Sequence, residues 1–184
     1  GKGINLFLDI DPGVPRNVNC DSTRVGQVLV NLLNNAVKYT EQGEVCLRVS
    51  AENISPQNCS LTFSISDTGI GIPERQQRII FEEFAQGDAS ATRRFGGTGS
   101  GLTICRRLLD AMVGGINLQS TPGSGSRFTV QLPVDTVSPI EQAPALDSEL
   151  QGRNVLLAVG NQTQRTILSK YLRGWETKLH SVID

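Results

Sequence analysis

The sequence predicts an α+β fold. It reads as a two-layer α/β sandwich, a mixed and mostly antiparallel sheet covered on one face by helices, with a short βαβ stub after it. Three observations predict this. Alternating apolar segments stand side by side as a hairpin pair, with Val45, Leu47 and Val49 against Leu61, Phe63 and Ile65. The segment between Asp21 and Tyr39 repeats its apolar residues at helical spacing. Hairpins stand beside helices in a mixed order, which disfavours a doubly wound parallel sheet.

The elements follow in chain order. "INLFLDI" reads as a strand. Asp21 can cap a helix that runs to about Tyr39. "EVCLRVSAEN" and "CSLTFSIS" form the first hairpin, and Pro73 opens a short helix. A further helix covers roughly Ser100 to Met112. "GINLQST" and "SRFTVQLP" make a second hairpin around Pro122 and Gly123. Residues 135–152, with Pro139, Pro144 and several acids, read as a linker. The three parts are thus 1–134, 135–152 and 153–184.

With 17 basic and 18 acidic residues among 184, no global field recruits nucleic acid or an anionic membrane. No apolar run is long enough to span a bilayer. Both ends read as cut from a longer protein. Cys20, Cys46, Cys59 and Cys105 lack metal-site spacing and do not cluster with His180, the single histidine. Cys59 shares strand parity with Leu61 and Phe63, so it is expected to be buried. Unpatterned cysteines fit a reducing compartment.

The first long helix carries an unusual stripe. Arg24, Gln27, Asn31, Asn35 and Lys38 fall on one side, and Val25, Val28, Leu29, Leu32, Leu33, Ala36 and Val37 on the other. Asparagine is a poor helix former, so each of the two costs about a few tenths of a kcal/mol. Carboxamide oxygens one turn apart can both reach a hard cation such as Mg²⁺, which prefers oxygen ligands and phosphates. A polar face meeting water or a neighbouring loop explains the same stripe.

Two glycine-rich stretches follow. In "SISDTGIGIP", Asp67 ends an apolar strand, and Gly69 and Gly71 come next. A carboxylate there can accept a hydrogen bond from an exocyclic amine, although an Asp-Thr-Gly turn is the plainer reading. "TRRFGGTGSGLTI" matches neither the Gly-Lys-Ser/Thr phosphate loop nor the dinucleotide fingerprint. It is either a flexible turn or a phosphate site of another design.

Taken in order, "NLLNNAVKYT", "DTGIGIP", "IFEEF" and "GGTGSGLTI" resemble the ATP-binding catalytic domain of sensor histidine kinases. That domain lies within the wider family of gyrase, Hsp90, histidine kinase and MutL. "GSGSRFTVQLP" extends the resemblance to Pro133, and the lid stretch is most similar to hybrid kinases.

The resemblance implies ATP and Mg²⁺ as ligands. It makes Asn35 the principal Mg²⁺ ligand with Asn31 assisting, places Lys38 and Tyr39 along the nucleotide, and gives Asp67 the adenine amine. Gly69 and Gly71 shape the pocket floor, and Phe81 and Phe84 anchor the lid hinge or simply fill core. Arg93 or Arg94 neutralises the triphosphate, which Gly97, Gly99 and Gly101 meet with backbone N–H groups. Thr98, Ser100 and Leu102 complete the ATP-binding set. A helix starting near Ser100 offers oriented N–H groups and a positive dipole end, so no following lysine is needed.

Hydrolysing relatives carry glutamate at the place of Asn31. An asparagine accepts no proton at neutral pH, so steady ATP hydrolysis is disfavoured and γ-phosphoryl transfer is favoured. The acceptor implied is a histidine on a separate dimerisation domain of the same protein, with a response regulator or receiver next in the relay. A homodimer in the membrane is implied for the full protein, with this part cytoplasmic. His180 has no phosphoacceptor surroundings. "RNVLLAVGNQTQRTILSKYLRGWETKLHSV" resembles the start of a receiver domain. It bears Val159 and Gly160 where an acidic pair would hold Mg²⁺, so no phosphorylation is expected there. Such a unit would dock on the ATP domain, pair with another copy or stay disordered. Two other readings stand beside the kinase: a pseudokinase that binds a partner kinase, and a gyrase- or chaperone-type ATPase.

Overall fold

A computed structural model describes residues 2–82, 101–137 and 150–182. Its larger sheet has six strands. They are β1 (Asn5–Ile10), β2 (Val18–Asn19), β3 (Glu44–Glu52), β4 (Asn58–Asp67), β5 (Gly115–Thr121) and β6 (Gly125–Thr136). The order is β1-β3-β4-β6-β2, with β5 also on β6. Among the described residues of this sheet, only β1 and β3 run parallel; its other pairings are antiparallel. The β3–β4 hairpin has the expected register, Leu47 opposite Ile65 and Val49 opposite Phe63.

Helix α1 (Ser22–Tyr39) begins where the sequence places it, and the Asp21 carboxylate accepts the Arg24 N–H at its N-cap. Helix α2 (Glu74–Gln77) follows Pro73. Helix α3 spans Gly101–Ala111. Val28, Leu32 and Ala36 of α1, one per turn, and Cys105 and Leu109 of α3 bury themselves on the sheet. The sheet answers with Val45 of β3, alternate residues Cys59 to Ile65 of β4 and Phe128 to Val134 of β6. The helices thus cover one face of a mixed sheet, as the patterning predicts, and Cys59 is buried at 3% exposure. Strand β6 runs on through Asp135 and Thr136, which pair with Asn19 and Val18 of β2, so order extends into the stretch read as linker.

A second, two-stranded parallel sheet joins β7 (Asn154–Ala158) and β8 (Lys178–Val182) around helix α4 (Gln162–Gly174). This unit docks on the larger sheet. Asp9 of β1 and Arg48 of β3 lie in register, on the parity opposite to the core residues Val45 and Leu47. Lys170 of α4 ion-pairs Asp9 there, so α4 lies across the face that α1 and α3 leave open.

Candidate nucleotide site

The asparagine stripe of α1 changes environment along its length. Arg24 and Gln27 are exposed, whereas Asn31, Asn35 and Lys38 are half-buried. The Cys105 S–H of α3 points to the Val28 carbonyl at 3.8 Å. Burial pushes the Cys105 thiol pKa up, so the thiol is an unreactive packing group.

The C-terminal end of α1 is held from two sides. Lys2 Nζ donates to the carbonyls of Val37 (3.0 Å), Lys38 (2.8 Å) and Thr40 (3.2 Å). A cation on those terminal carbonyls complements the helix dipole. The Thr40 hydroxyl, fully buried, donates to Ala36 O at 2.7 Å. Lys38 Nζ lies 5.0 Å from the centroid of the Tyr39 ring.

The loop after β4 abuts this same helix end. Ile70 N–H donates to the Tyr39 carbonyl at 3.3 Å. Glycines make the approach possible: a Cβ on Gly69 would lie 2.4 Å from Tyr39 O. Gly71, at φ +68°, faces Thr121 O, which a Cβ would meet at 2.1 Å. Asp67 Oδ1 accepts the Gly69 N–H at 2.9 Å. Burial raises the Asp67 carboxyl pKa above the ordinary 3.8, although backbone hydrogen bonds from Gly69 and Ser126 work against the rise. An ionised Asp67 is therefore incompletely solvated, and it gains from any further donor brought to it.

Sequence reasoning passed over the support behind Asp67. Ser126, 8% exposed, is Asp67's register partner on β6. Its hydroxyl shares a 3.0 Å hydrogen bond with that of Ser120, which accepts the Ile72 N–H at 2.8 Å. A signal was present. Ser126, Phe128, Val130, Leu132 and Val134 share one inward parity, and a lone serine on a core face asks for a polar partner.

On α3, Leu102 packs against the core and Thr103 Oγ1 donates to Glu82 O at 3.0 Å. Phe81 meets Phe128 edge to face at 6.4 Å, with the Arg106 guanidinium 5.9 Å from its ring. Phe81 is thus partly buried packing under α3. Phe84, Arg93, Arg94, Gly97, Thr98, Gly99 and Ser100 lie outside the described residues. The structure brings α1 against α3 at Val28 and against the Asp67 loop at Tyr39.

Among the described residues no cluster of three or more His, Cys, Asp or Glu could hold a metal. None of the described helices is long and apolar enough to cross a membrane.

The chain is similar to known proteins. Residues 20–136 match the family described as histidine kinase-, DNA gyrase B- and HSP90-like ATPase. The chain is 43% identical over 134 residues to the signal transduction histidine-protein kinase BarA of Escherichia coli K12, covering 73% of this chain and 15% of BarA. It is 39% identical over 184 residues to the circadian input-output histidine kinase CikA of Synechococcus elongatus, covering 98% of this chain and 24% of CikA. A solved structure of full-length ShkA in complex with AMPPNP superposes with a TM-score of 0.76 and 31% identity, covering 100% of this chain and 36% of that one. The chain therefore spans less than a quarter of the length of these two curated relatives.

Proposed function

Because the chain belongs to the histidine kinase-, DNA gyrase B- and HSP90-like ATPase family, in the branch of hybrid sensor histidine kinases, we propose that it binds ATP·Mg²⁺ and presents the γ-phosphoryl group to a histidine on a separate helical domain of the same protein. One observation carries the reading. The Asp67 carboxylate, its pKa raised by burial, sits in a glycine loop pressed against the end of the helix that carries Asn31, Asn35 and Lys38.

Each residue has a task in this reading. Asp67 accepts the adenine amine. Gly69 and Gly71 let the loop close on Tyr39 and Thr121. Asn35 and Asn31 offer carbonyl oxygens to Mg²⁺, which when bound neutralises phosphate charge. Lys38, Arg93 and Arg94 add positive charge along the phosphates. Gly97, Gly99 and Gly101 offer N–H groups at the head of α3, flanked by Thr98, Ser100 and Leu102. Asn31 stands where a water-activating base would be needed, and a carboxamide cannot serve as one. Positioning and charge neutralisation suffice for phosphoryl transfer to an imidazole.

The same reading divides the chain into an ATP-binding domain over 1–134, a linker over 135–152 and a receiver-like segment over 153–184. That segment, with Val159 and Gly160 in place of acids, takes no phosphoryl group. The full protein is read as a homodimeric membrane sensor with this part on the cytoplasmic side, passing phosphate to a receiver.

Titration with a fluorescent ATP analogue tests the proposal. Binding is expected to require Mg²⁺ and to be lost in Asn35→Ala and Asp67→Ala. Magnesium-independent binding that survives both substitutions would overturn it. Steady ATP turnover by the chain alone would instead favour the hydrolase reading.

A further inference from the structure

The contacts of α4 with the larger sheet fall at two ends. At one end Lys170 ion-pairs Asp9 and, at 2.8 Å, Asp11. Arg48 joins this cluster at 3.1 Å from Asp11 and 3.7 Å from Asp9. The Tyr171 hydroxyl accepts the Ile10 N–H at 2.8 Å and donates to the Ile10 carbonyl at 2.9 Å. It thereby satisfies backbone groups on the outer edge of β1, the kind of edge that otherwise invites pairing with another chain.

At the other end α4 reaches Glu44. The Thr163 hydroxyl donates to Glu44 Oε1, and Asn161 Nδ2 donates to Oε2 at 3.3 Å. Asn161 Oδ1 meanwhile caps α4 by accepting the Gln164 N–H at 2.8 Å. The Glu44 carboxylate thus lies at the head of α4, where the helix dipole favours a negative charge.

Glu44 is also the backbone partner of Thr68. Its N–H donates to Thr68 Oγ1 at 2.9 Å, and Thr68 N–H donates back to Glu44 O at 3.1 Å. Thr68 sits between Asp67 and Gly69. Glycines fence it closely: a Cβ on Gly43 would lie 2.2 Å from Thr68 Oγ1, and one on Gly125 would lie 3.0 Å from Thr68 Cα. Glu44 and Thr68 are thus tied backbone to backbone and backbone to side chain, with little room for Thr68 to shift.

We propose that Glu44 is a positioning residue that couples the docked β7–α4–β8 unit to the Asp67 loop. Asn161 and Thr163 hold the Glu44 side chain, Glu44 holds Thr68, and Thr68 fixes the geometry in which Asp67 receives a nucleobase. The last clause rests on the reading of Asp67 as the adenine acceptor; the mechanical coupling does not.

The test uses the whole chain with Thr163→Val, Thr163→Ser and Glu44→Gln, followed by amide hydrogen exchange and ATP-analogue titration. Thr163→Val and Glu44→Gln are expected to speed exchange at Thr68, Gly69 and Ile70 in the nucleotide-free chain. They should also weaken nucleotide binding by about 3–10-fold, the worth of one lost hydrogen bond. Thr163→Ser keeps the hydroxyl and should restore wild-type values for both. Faster exchange confined to residues 154–182 in Thr163→Val, with Thr68–Ile70 unchanged, would overturn the coupling. If the wild-type chain binds no nucleotide, the reading of Asp67 fails, while loop exchange still decides the coupling.

Discussion

Gly69 stands so close to Tyr39 that a single added carbon would come within 2.4 Å of the Tyr39 carbonyl oxygen. The contact is backbone against backbone, and no side-chain rotation relieves it. The glycine joins the loop after β4 to the end of α1, the two elements that must share one cavity if Asn35 and Asp67 serve one ligand.

Gly69→Ala should therefore force this junction apart. A loss of stability of about 1–3 kcal/mol is expected from the overpacking, read as a lower midpoint in urea unfolding. ATP-analogue affinity should fall with it. Wild-type values in both measurements would mean that the loop yields freely.

Asp67→Asn should separate stability from binding. Because the Asp67 carboxyl pKa is raised by burial, the folded state holds the proton more tightly than the unfolded chain does. The stability gained from protonation is fully present below pH 3.8 and is lost as pH rises through the raised value. The neutral amide mimics the protonated group. The variant should match or exceed the wild-type melting temperature at neutral pH, with any gain shrinking on acidification. Its ATP-analogue binding should nevertheless be lost.

Docking of α4 should be confined to a pH window. Burial works to raise the Asp11 carboxyl pKa, but hydrogen bonds from Lys170 and Arg48 outweigh it and leave the value lowered. Burial works to lower the Lys170 pKa, and bonds from Asp11 and Asp9 leave it raised. The Asp11 contribution is present above pH 3.8 and is lost as pH falls through its depressed value. The Lys170 contribution is full below pH 10.5 and is lost as pH rises through its elevated value. Limited proteolysis between residues 150 and 182 should accelerate outside that window, and at all pH values in Lys170→Met.

Lys2→Ala removes the cation from the last carbonyls of α1. A loss of about 0.3–1 kcal/mol is expected, measured by thermal unfolding. Faster exchange of the Thr40 amide, bonded to Ala36 O at 3.1 Å, should accompany it. Lys2→Arg should retain part of the effect.

Short-range pattern by itself determined much of this protein. The partition of α1 into an apolar side and an asparagine stripe depends on a 3.6-residue repeat, and the hairpins on a two-residue repeat. Asp67 and its glycines stand together within a few residues, so the loop was legible before any packing was known. Other features were decided only by tertiary structure. Lys2 on Val37, Thr163 on Glu44 and Tyr171 on Ile10 join residues 35, 119 and 161 positions apart. Ser126 was set behind Asp67 by the β4–β6 register. No local repeat encodes such pairs. They arise when buried surfaces fix the relative positions of whole elements, and the polar groups left at the seams then take the partners within reach.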